Sequence, residues 1–438
     1  MIRFACALFL IAAALPARAE VEIQEITTPG GITAWLVEEH SIPFTALEIR
    51  FRGGASLDAP ETKGATSLMV SLLEEGAGDL DSREFARATE SLAASFSYGL
   101  SDDAVRVSAK FLTENRDQAV DLLRDSLISP RFDEDAVERV RAQLLSSLRS
   151  DEKDPRSIAG RAFDARAFGD HPYALPQDGS VETVTDLTRD DLLAAHKGAL
   201  ARDRIYVGAV GDITPEELSA LLDSLLGDLP ATGAPLPGPA DIALDGDTHV
   251  IDFPTPQSVA VFGQPGIDRD DPDFFAAFVL DLILGGGGFE SRLMTEVREK
   301  RGLTYGIYSY LVDKDYAQLW QGSVASANNR MAETIQVIRD EWQKMLDEGV
   351  TEDELEDAKT YLTGAYPLRF DGNGPIANII VAMQMEGLPI DYIATRNDKV
   401  NAVTMEDITR VGEELLDPSR LTFVVVGQPE GLEPAAAN

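Results

Sequence analysis

The chain has 438 residues, 44% hydrophobic and 26% charged, which is enough apolar material for two or more packed cores. Seventy-five acids against 38 bases give a formal net charge of −37. A surface so negative repels nucleic acid and anionic membrane, and neither is expected as a partner.

The first nineteen residues stand apart. Arg3 gives a positive start, Phe4 to Leu15 form a run of twelve apolar residues, and Ala17-Arg18-Ala19 place small residues at −3 and −1 of a cleavage point. This is the pattern of a secretory signal peptide cut after Ala19, and the run is shorter than the roughly 20 residues that span a bilayer. No later segment is long and apolar enough to insert, so an exported, periplasmic protein is expected. Cys6, the only cysteine, lies inside the signal, which leaves the mature chain without a disulfide or a thiolate metal ligand. Loss of Arg3 and Arg18 takes the net charge from −37 to −39. That balance favours basic peptides as ligands, although a total does not say where the charge sits.

"FTALEIRFRGG" (44–54) alternates as a strand and leads into "KGATSLMVSLLEEGAG" (63–78), the front of an amphipathic helix. Ser67, Val70 and Ser71 fall at i, i+3 and i+4 and so share one helical face. Imidazoles and a carboxylate at that spacing would hold zinc; this face offers two hydroxyls and an isopropyl group. "AVRVSAKF" (104–111) reads as a half-buried strand. Residues 133–155 read as a long helix with an apolar stripe of Val137, Val140, Leu144 and Leu148, stopped by Asp154-Pro155.

"TRDDLLAAHKGALARDRIYVGAVGD", from Thr188, matches "TMEDITRVGEELLDPSRLTFVVVGQ", from Thr404, without a gap at an offset of 216 residues. Each copy is a Thr-capped helix, a polar turn and a nearly continuous apolar strand, Ile205 to Val210 and Leu421 to Val426. "QSVAVFGQPG" (257–266) and the helix Phe274 to Leu284 answer the strand and helix that open the first half. The expected organisation is therefore a signal (1–19), an N-terminal domain (20–228), a Pro/Gly/Ala-rich linker (229–247), a C-terminal domain (248–430) and a tail (431–438), an α+β pattern given twice. His40, His171, His196 and His249 lack a second ligand at metal spacing and read as surface or capping residues. Gly285, Gly286, Gly287 and Gly288 read as a helix cap and tight turn, since no Lys-Ser/Thr follows to make a phosphate cradle.

Four stretches in order, "FRGGASLDAPETKGATSLMVSLLEEGA", "ERVRAQLLSSLRSDEKDP", "FGDHPYALPQDGSVETVTDLTRDDL" and "LGGGGFESRLMTEVREKRGLTYGIYSY", carry a resemblance. Over residues 22 to 430 the chain resembles the pitrilysin/insulinase family of zinc metallopeptidases. The resemblance implies two homologous α+β repeats of the mitochondrial processing peptidase-like metallohydrolase fold, each a mostly antiparallel sheet packed against helices. The family's inverted motif, His-x-x-Glu-His, falls on Ser67, Val70 and Ser71, and its later Glu on Ser147 or its neighbour Ser146, so these positions are degenerate and no metal or cofactor is expected in this chain. An Arg and a Tyr seven residues apart, which in active relatives reach into the zinc site, fall on Arg298 and Tyr305, and Gly285 to Gly288 on a glycine-rich loop near the substrate path. The resemblance thus implies a chain inactive alone, the non-catalytic subunit of a periplasmic heterodimeric zinc peptidase. The homologous partner would carry the zinc, while Arg298 and Tyr305 bind peptide or unfolded substrate in trans. The alternative is a peptide-binding or structural pseudo-peptidase scaffold with no role in proteolysis.

Overall fold

The computed structural model describes residues 21–433. The expected signal peptide and the last residues of the tail lie outside that range. Six strands, β1 (Gln24–Thr27), β2 (Thr33–Glu38), β3 (Phe44–Arg52), β4 (Ser95–Leu100), β5 (Ala104–Leu112) and β6 (Ile205–Gly211), form one sheet in the order β1-β2-β6-β3-β5-β4. Five more, β7 (Thr248–Asp252), β8 (Gln257–Pro265), β9 (Ile307–Lys314), β10 (Ala317–Ala327) and β11 (Thr422–Gly427), form a second in the order β9-β10-β8-β11-β7.

Read inward from β4 and from β9, the two orders coincide. Each sheet has a free edge strand, an antiparallel hairpin partner, a central strand, and then the last strand of its half in a parallel pair, β6 with β2 and β11 with β7. The internal repeat is therefore a repeat of topology. Glycines 211 and 427 close the two last strands with positive φ, 139° and 152°, against β3 and β8.

The helices of the first half include α1 (Ala65–Ser71), α2 (Glu134–Asp151), α3 (Pro155–Phe168) and α4 (Arg189–Ala199). Those of the second include α5 (Phe274–Asp281), α6 (Met331–Glu348), α7 (Asn373–Met385) and α8 (Met405–Leu415). Thr188 and Thr404 cap α4 and α8 through reciprocal bonds with Asp191 and Asp407. Asp154-Pro155 starts a helix rather than stopping one. Helix α2 ends at Asp151, Asp154 accepts from the Ser157 amide at 2.9 Å, and Pro155 takes the first position of α3, where its missing N–H costs nothing.

Each half lends one helix to the other. Helix α3 lies on β8 and β11, packing Ala159, Phe163 and Ala167 against Val259, Val261, Leu319, Val424 and Val426. Helix α7 lies on β3 and β6, packing Ala377, Ile380 and Met383 against Trp35, Ala46 and Val210. Shifted by the repeat offset, residues 155–168 fall on 371–384, so these two helices are equivalents in exchange. Small residues admit them. A Cβ on Gly208 would lie 2.6 Å from the Ala377 carbonyl oxygen, and one on Gly263 2.9 Å from the Phe163 ring.

The halves also meet at their hairpin tips. The Lys314 ammonium pairs with Asp102 and lies 4.5 Å from the centre of the Tyr173 ring; the Arg52 guanidinium sits 3.2 Å from Asp315; and the Asp315 amide donates to Asp103. Burial pushes the nearby Asp164 carboxyl up to about 7, with Lys314 opposing the shift and Asp102 adding to it.

Two predictions test this seam. Gly208→Val, which overpacks the α7 crossing, should cost about 1–3 kcal/mol in denaturant unfolding. Asp164 has a raised folded pKa, so its contribution to stability is full below the unfolded carboxylate value of about 4 and is lost progressively as pH rises to about 7. Asp164→Asn should therefore raise the melting temperature at pH 8, on the order of 2–4 °C, and by clearly less at pH 5, which lies partway through the window between about 4 and about 7. An equal shift at both pH values would refute the assignment.

Candidate functional site

Helix α1 is set in place from its N-terminal side. The Asp58 carboxylate, 8% exposed, accepts from the Gly64 and Thr66 amides at 3.0 and 3.2 Å and from the Thr66 hydroxyl at 2.5 Å. Lys63 is folded inward, its ammonium donating to the Ala55 carbonyl at 2.7 Å. This rigid start fixes the direction of every α1 side chain.

On the face so presented, Ser67 is 7% exposed and its hydroxyl donates to Asp178 at 2.6 Å. Val70 is 4% exposed and belongs to the first-half core. Ser71 is exposed and donates back to the Ser67 carbonyl at 3.0 Å. Ser146 and Ser147 are exposed on α2. A neutral serine hydroxyl is a poor zinc ligand, and the one buried hydroxyl is already committed as a donor. These residues do not fit a zinc ion, and no group of three or more His, Cys, Asp or Glu able to hold a metal occurs among the described residues. Just beyond α1, Glu75 is held by Arg139 at 2.7 and 2.8 Å and by Ser82 at 2.5 Å, so it serves as a strut between elements.

The histidines are accounted for individually. His40 bonds Asp212 and Glu38, His171 caps the turn at Tyr173, and His249 bonds Asp245. His196 departs from the surface or capping role expected of it. It is 7% exposed and bonds the Leu127 carbonyl at 2.8 Å, and burial holds its pKa below the usual value.

In the second half, α5 ends at Asp281 and the chain widens into a π-helical turn over Leu282–Gly286, where a cap and tight turn were expected. The reason is packing. A Cβ at Gly285 would lie 2.3 Å from the Ser309 hydroxyl, and one at Gly286 2.7 Å from Asp281. Asp281 is 4% exposed and accepts from Ser309 at 2.6 Å and from the Trp320 indole at 2.7 Å; burial lifts its carboxyl to about 6 against those two bonds. It ties the glycine-rich turn to β9 and β10. Gly287 and Gly288 lead on into a short 3₁₀ turn.

Arg298 lies in a second π-helical segment, Met294–Glu299, with its guanidinium 3.9 Å from Glu299. Glu296 instead binds Lys300 at 2.5 Å and Arg301 at 2.6 Å. Tyr305 sits on the turn into β9 and is 91% exposed. Its neighbour Thr304 is pinned, donating to the Ala325 carbonyl at 2.7 Å and accepting from the Gly306 amide at 3.1 Å. The phenol therefore projects from a fixed turn. Tyr308 and Tyr310 extend the row along β9, 48% and 40% exposed, with ring centres 6.3 Å apart. Sequence reasoning passed over Asp178, Asp281 and the tyrosine row. Only the last left a signal, an alternation of Tyr with Ser in "YSY".

The fold and this face define a scaffold of two α+β repeats whose α1 face carries side chains unsuited to a metal. Residues 34–178 match the model of the insulinase family, peptidase family M16, and residues 186–362 match that of the peptidase M16 inactive domain. The chain belongs to the M16 (insulinase) family. It is 26% identical over 389 residues to the non-peptidase homolog YmxG of Helicobacter pylori, covering 89% of this chain and 90% of that one. It is 26% identical over 419 residues to an uncharacterized zinc protease of Streptomyces coelicolor, covering 92% and 89%. Among solved structures, a peptidase M16 inactive domain from Pseudomonas fluorescens superposes with a TM-score of 0.87 at 29% identity, over 94% of this chain and 99% of that one.

We expect the purified chain to carry no stoichiometric zinc by elemental analysis, and neither added zinc nor EDTA to move its melting temperature. A zinc-dependent rise that disappears in Ser67→Ala would contradict this reading of the α1 face.

Proposed function

We propose that this chain is the non-catalytic subunit of a periplasmic two-chain zinc peptidase. It lends Arg298 and Tyr305 to peptide substrate held in the active site of a homologous, zinc-bearing partner. The observation that carries the proposal is an asymmetry. The α1 face has its buried hydroxyl closed onto Asp178, while Tyr305 stands 91% exposed on a turn fixed by Thr304. A phenol in that position satisfies nothing inside its own chain that would account for holding it there.

The chemistry follows from peptide hydrolysis. Attack on the scissile carbonyl places negative charge on its oxygen, and an O–H or guanidinium N–H aimed at that oxygen stabilises the charge more than it stabilises the neutral substrate. The partner supplies the activated water and metal; this chain supplies donors and a surface for extended peptide. A peptide-binding scaffold without a proteolytic role shares the binding half of this reading and lacks the trans donation. The name of the Helicobacter pylori relative, a non-peptidase homolog, keeps that alternative in view.

The test mixes this chain with a homologous chain that carries an intact His-x-x-Glu-His motif, and follows cleavage of a fluorogenic peptide. We expect each chain to be inactive or weak alone and the mixture to be active. Tyr305→Phe should lower kcat/KM of the mixture by about 10²-fold with the zinc content of the partner unchanged. Cleavage that is indifferent to the presence of this chain, or to Tyr305→Phe, would leave only the scaffold reading.

A further inference from the structure

The face of the first sheet opposite α1 carries charge of the wrong sign for so acidic a chain. Along β3, Leu47, Ile49 and Phe51 point into the core, which sends Ala46, Glu48, Arg50 and Arg52 to the other face. The register sets Lys110, Ser108 and Arg106 of β5 directly opposite Ala46, Glu48 and Arg50. Arg50 and Arg106 are thus a like-charge cross-strand pair, an arrangement that costs stability. Burial, with Arg106 adding to it, lowers the Arg50 pKa.

Two acids, Glu48 and Glu386, face this set. Arg50 donates to the Asn378 side chain at 2.9 Å, but its Nε is buried with no hydrogen-bond partner. Arg106 and Lys110 are exposed and, among the described residues, have neither a hydrogen bond nor a carboxylate within 4 Å. The nearest acid, Glu48, is buried among Arg50, Arg106 and Lys110 and accepts from Ser108 at 2.6 Å; burial raises its pKa, and the three cations oppose that shift. Glu386 lies near Arg50 and Arg269 and is likewise shifted upward by burial.

Helix α7 adds a second, independent feature. Its N-cap, Gly372, offers no side-chain acceptor, and its first turn holds no acid. That positive helix end abuts Lys110, whose ammonium is 3.4 Å from where a Cβ on Gly374 would be. Asn373, 7% exposed, keeps a buried side-chain N–H without a partner. Three cations and an uncapped helix start adjoin here, with Arg50 Nε and the Asn373 side-chain amide buried and unpartnered among the described residues, in a chain of net charge −37.

We propose that this face is a carboxylate-binding wall, which takes the acidic side chains of an extended peptide lying along the free edge of β4. The occupant is a peptide because β4 is an open sheet edge, with backbone groups available to a further strand. Its outward row on this face is Ser95, Ser97 and Gly99, opposite Lys110, Ser108 and Arg106. Those residues are small, so Arg106 and Lys110 can reach over them toward a strand about 4.8 Å beyond β4. The proposal rests on the peptide-binding reading above and names its substrate class, acidic rather than basic segments.

The test uses the full chain alone. Three fluorescein-labelled peptides of equal length, with Glu, Gln or Lys at alternate positions, are titrated by anisotropy at 50 and 150 mM salt. The Glu peptide should bind about tenfold more tightly than the Gln peptide, with the margin narrowing at the higher salt. Arg106→Ala and Lys110→Ala should each weaken the Glu peptide roughly three- to tenfold and leave the Gln peptide unchanged. The double change Arg106→Glu, Lys110→Glu should transfer the preference to the Lys peptide. Both positions are exposed, and circular dichroism checks that the fold is kept. Equal binding of the Glu and Gln peptides, or Glu-peptide binding indifferent to both alanine changes, overturns the wall. Neither result touches the trans role of Tyr305, which the mixing experiment reads separately.

Discussion

The exchange of helices α3 and α7 between the halves is the constraint on which the rest depends. Each sheet buries one face under helices of its own half and part of the other under a helix from its neighbour. Neither half can complete its apolar burial alone, because the residues that cover Val259, Val261 and Val424 are encoded in the first repeat, and those that cover Trp35, Ala46 and Val210 in the second. The crossing also decides what stays open. Helix α7 covers β3 and β6 but stops short of β4, and α3 covers β8 and β11 but not the Tyr308–Tyr310 row on β9. The edges at β4 and β9, and the sheet surface beside them, are left over by the way the halves lock together.

That lock separates architecture from chemistry. The α1 face is packed and hydrogen-bonded as closely as any core element, with Asp58 capping its start and Asp178 occupied by Ser67. A polar group set on a packed helix face needs a partner or solvent. Here each position has acquired its own resolution: burial for Val70, a carboxylate acceptor for Ser67, a backbone acceptor for Ser71 and solvent for Ser147. The second half shows the opposite economy. Asp281 is a buried carboxylate bonded only to neutral donors, a costly choice that fixes the glycine-rich turn against β9. Rigidity is thus spent at the base of β9, beside the turn that carries Tyr305.

Much of this was legible in the sequence. The repeat at Thr188 and Thr404 marked equivalent capped helices and last strands because capping and continuous apolarity are local properties. That Ser67, Val70 and Ser71 share one face of α1 needed only helical spacing. The direction of the chain at Asp154-Pro155 was misjudged because proline both ends and begins helices, and the choice is made by whether the preceding Asp finds an amide to cap. The widening at Gly285 was invisible because it depends on Ser309, which approaches from another strand. The exchange of α3 and α7 could not be read either: nothing in an amphipathic helix says which sheet it will cover.

Charge gives the sharpest case of the same limit. A total of −37 invites the inference of a basic ligand, and long-range repulsion of acidic molecules by the chain as a whole is real. Yet at physiological salt that field is screened over about 8 Å, so a ligand already at the surface responds to the charges within reach rather than to the sum. Around Arg106 and Lys110 those charges are positive, and their sign follows from register. Alternation along "EIRFR" and "VRVSAK" puts every cation of these strands on one face, and antiparallel pairing stacks them side by side. Arg50 faces Arg106 and the open end of α7 faces Lys110, with Glu48 the one acid of β3 on that face, so an anionic ligand would add to the relief that Glu48 gives.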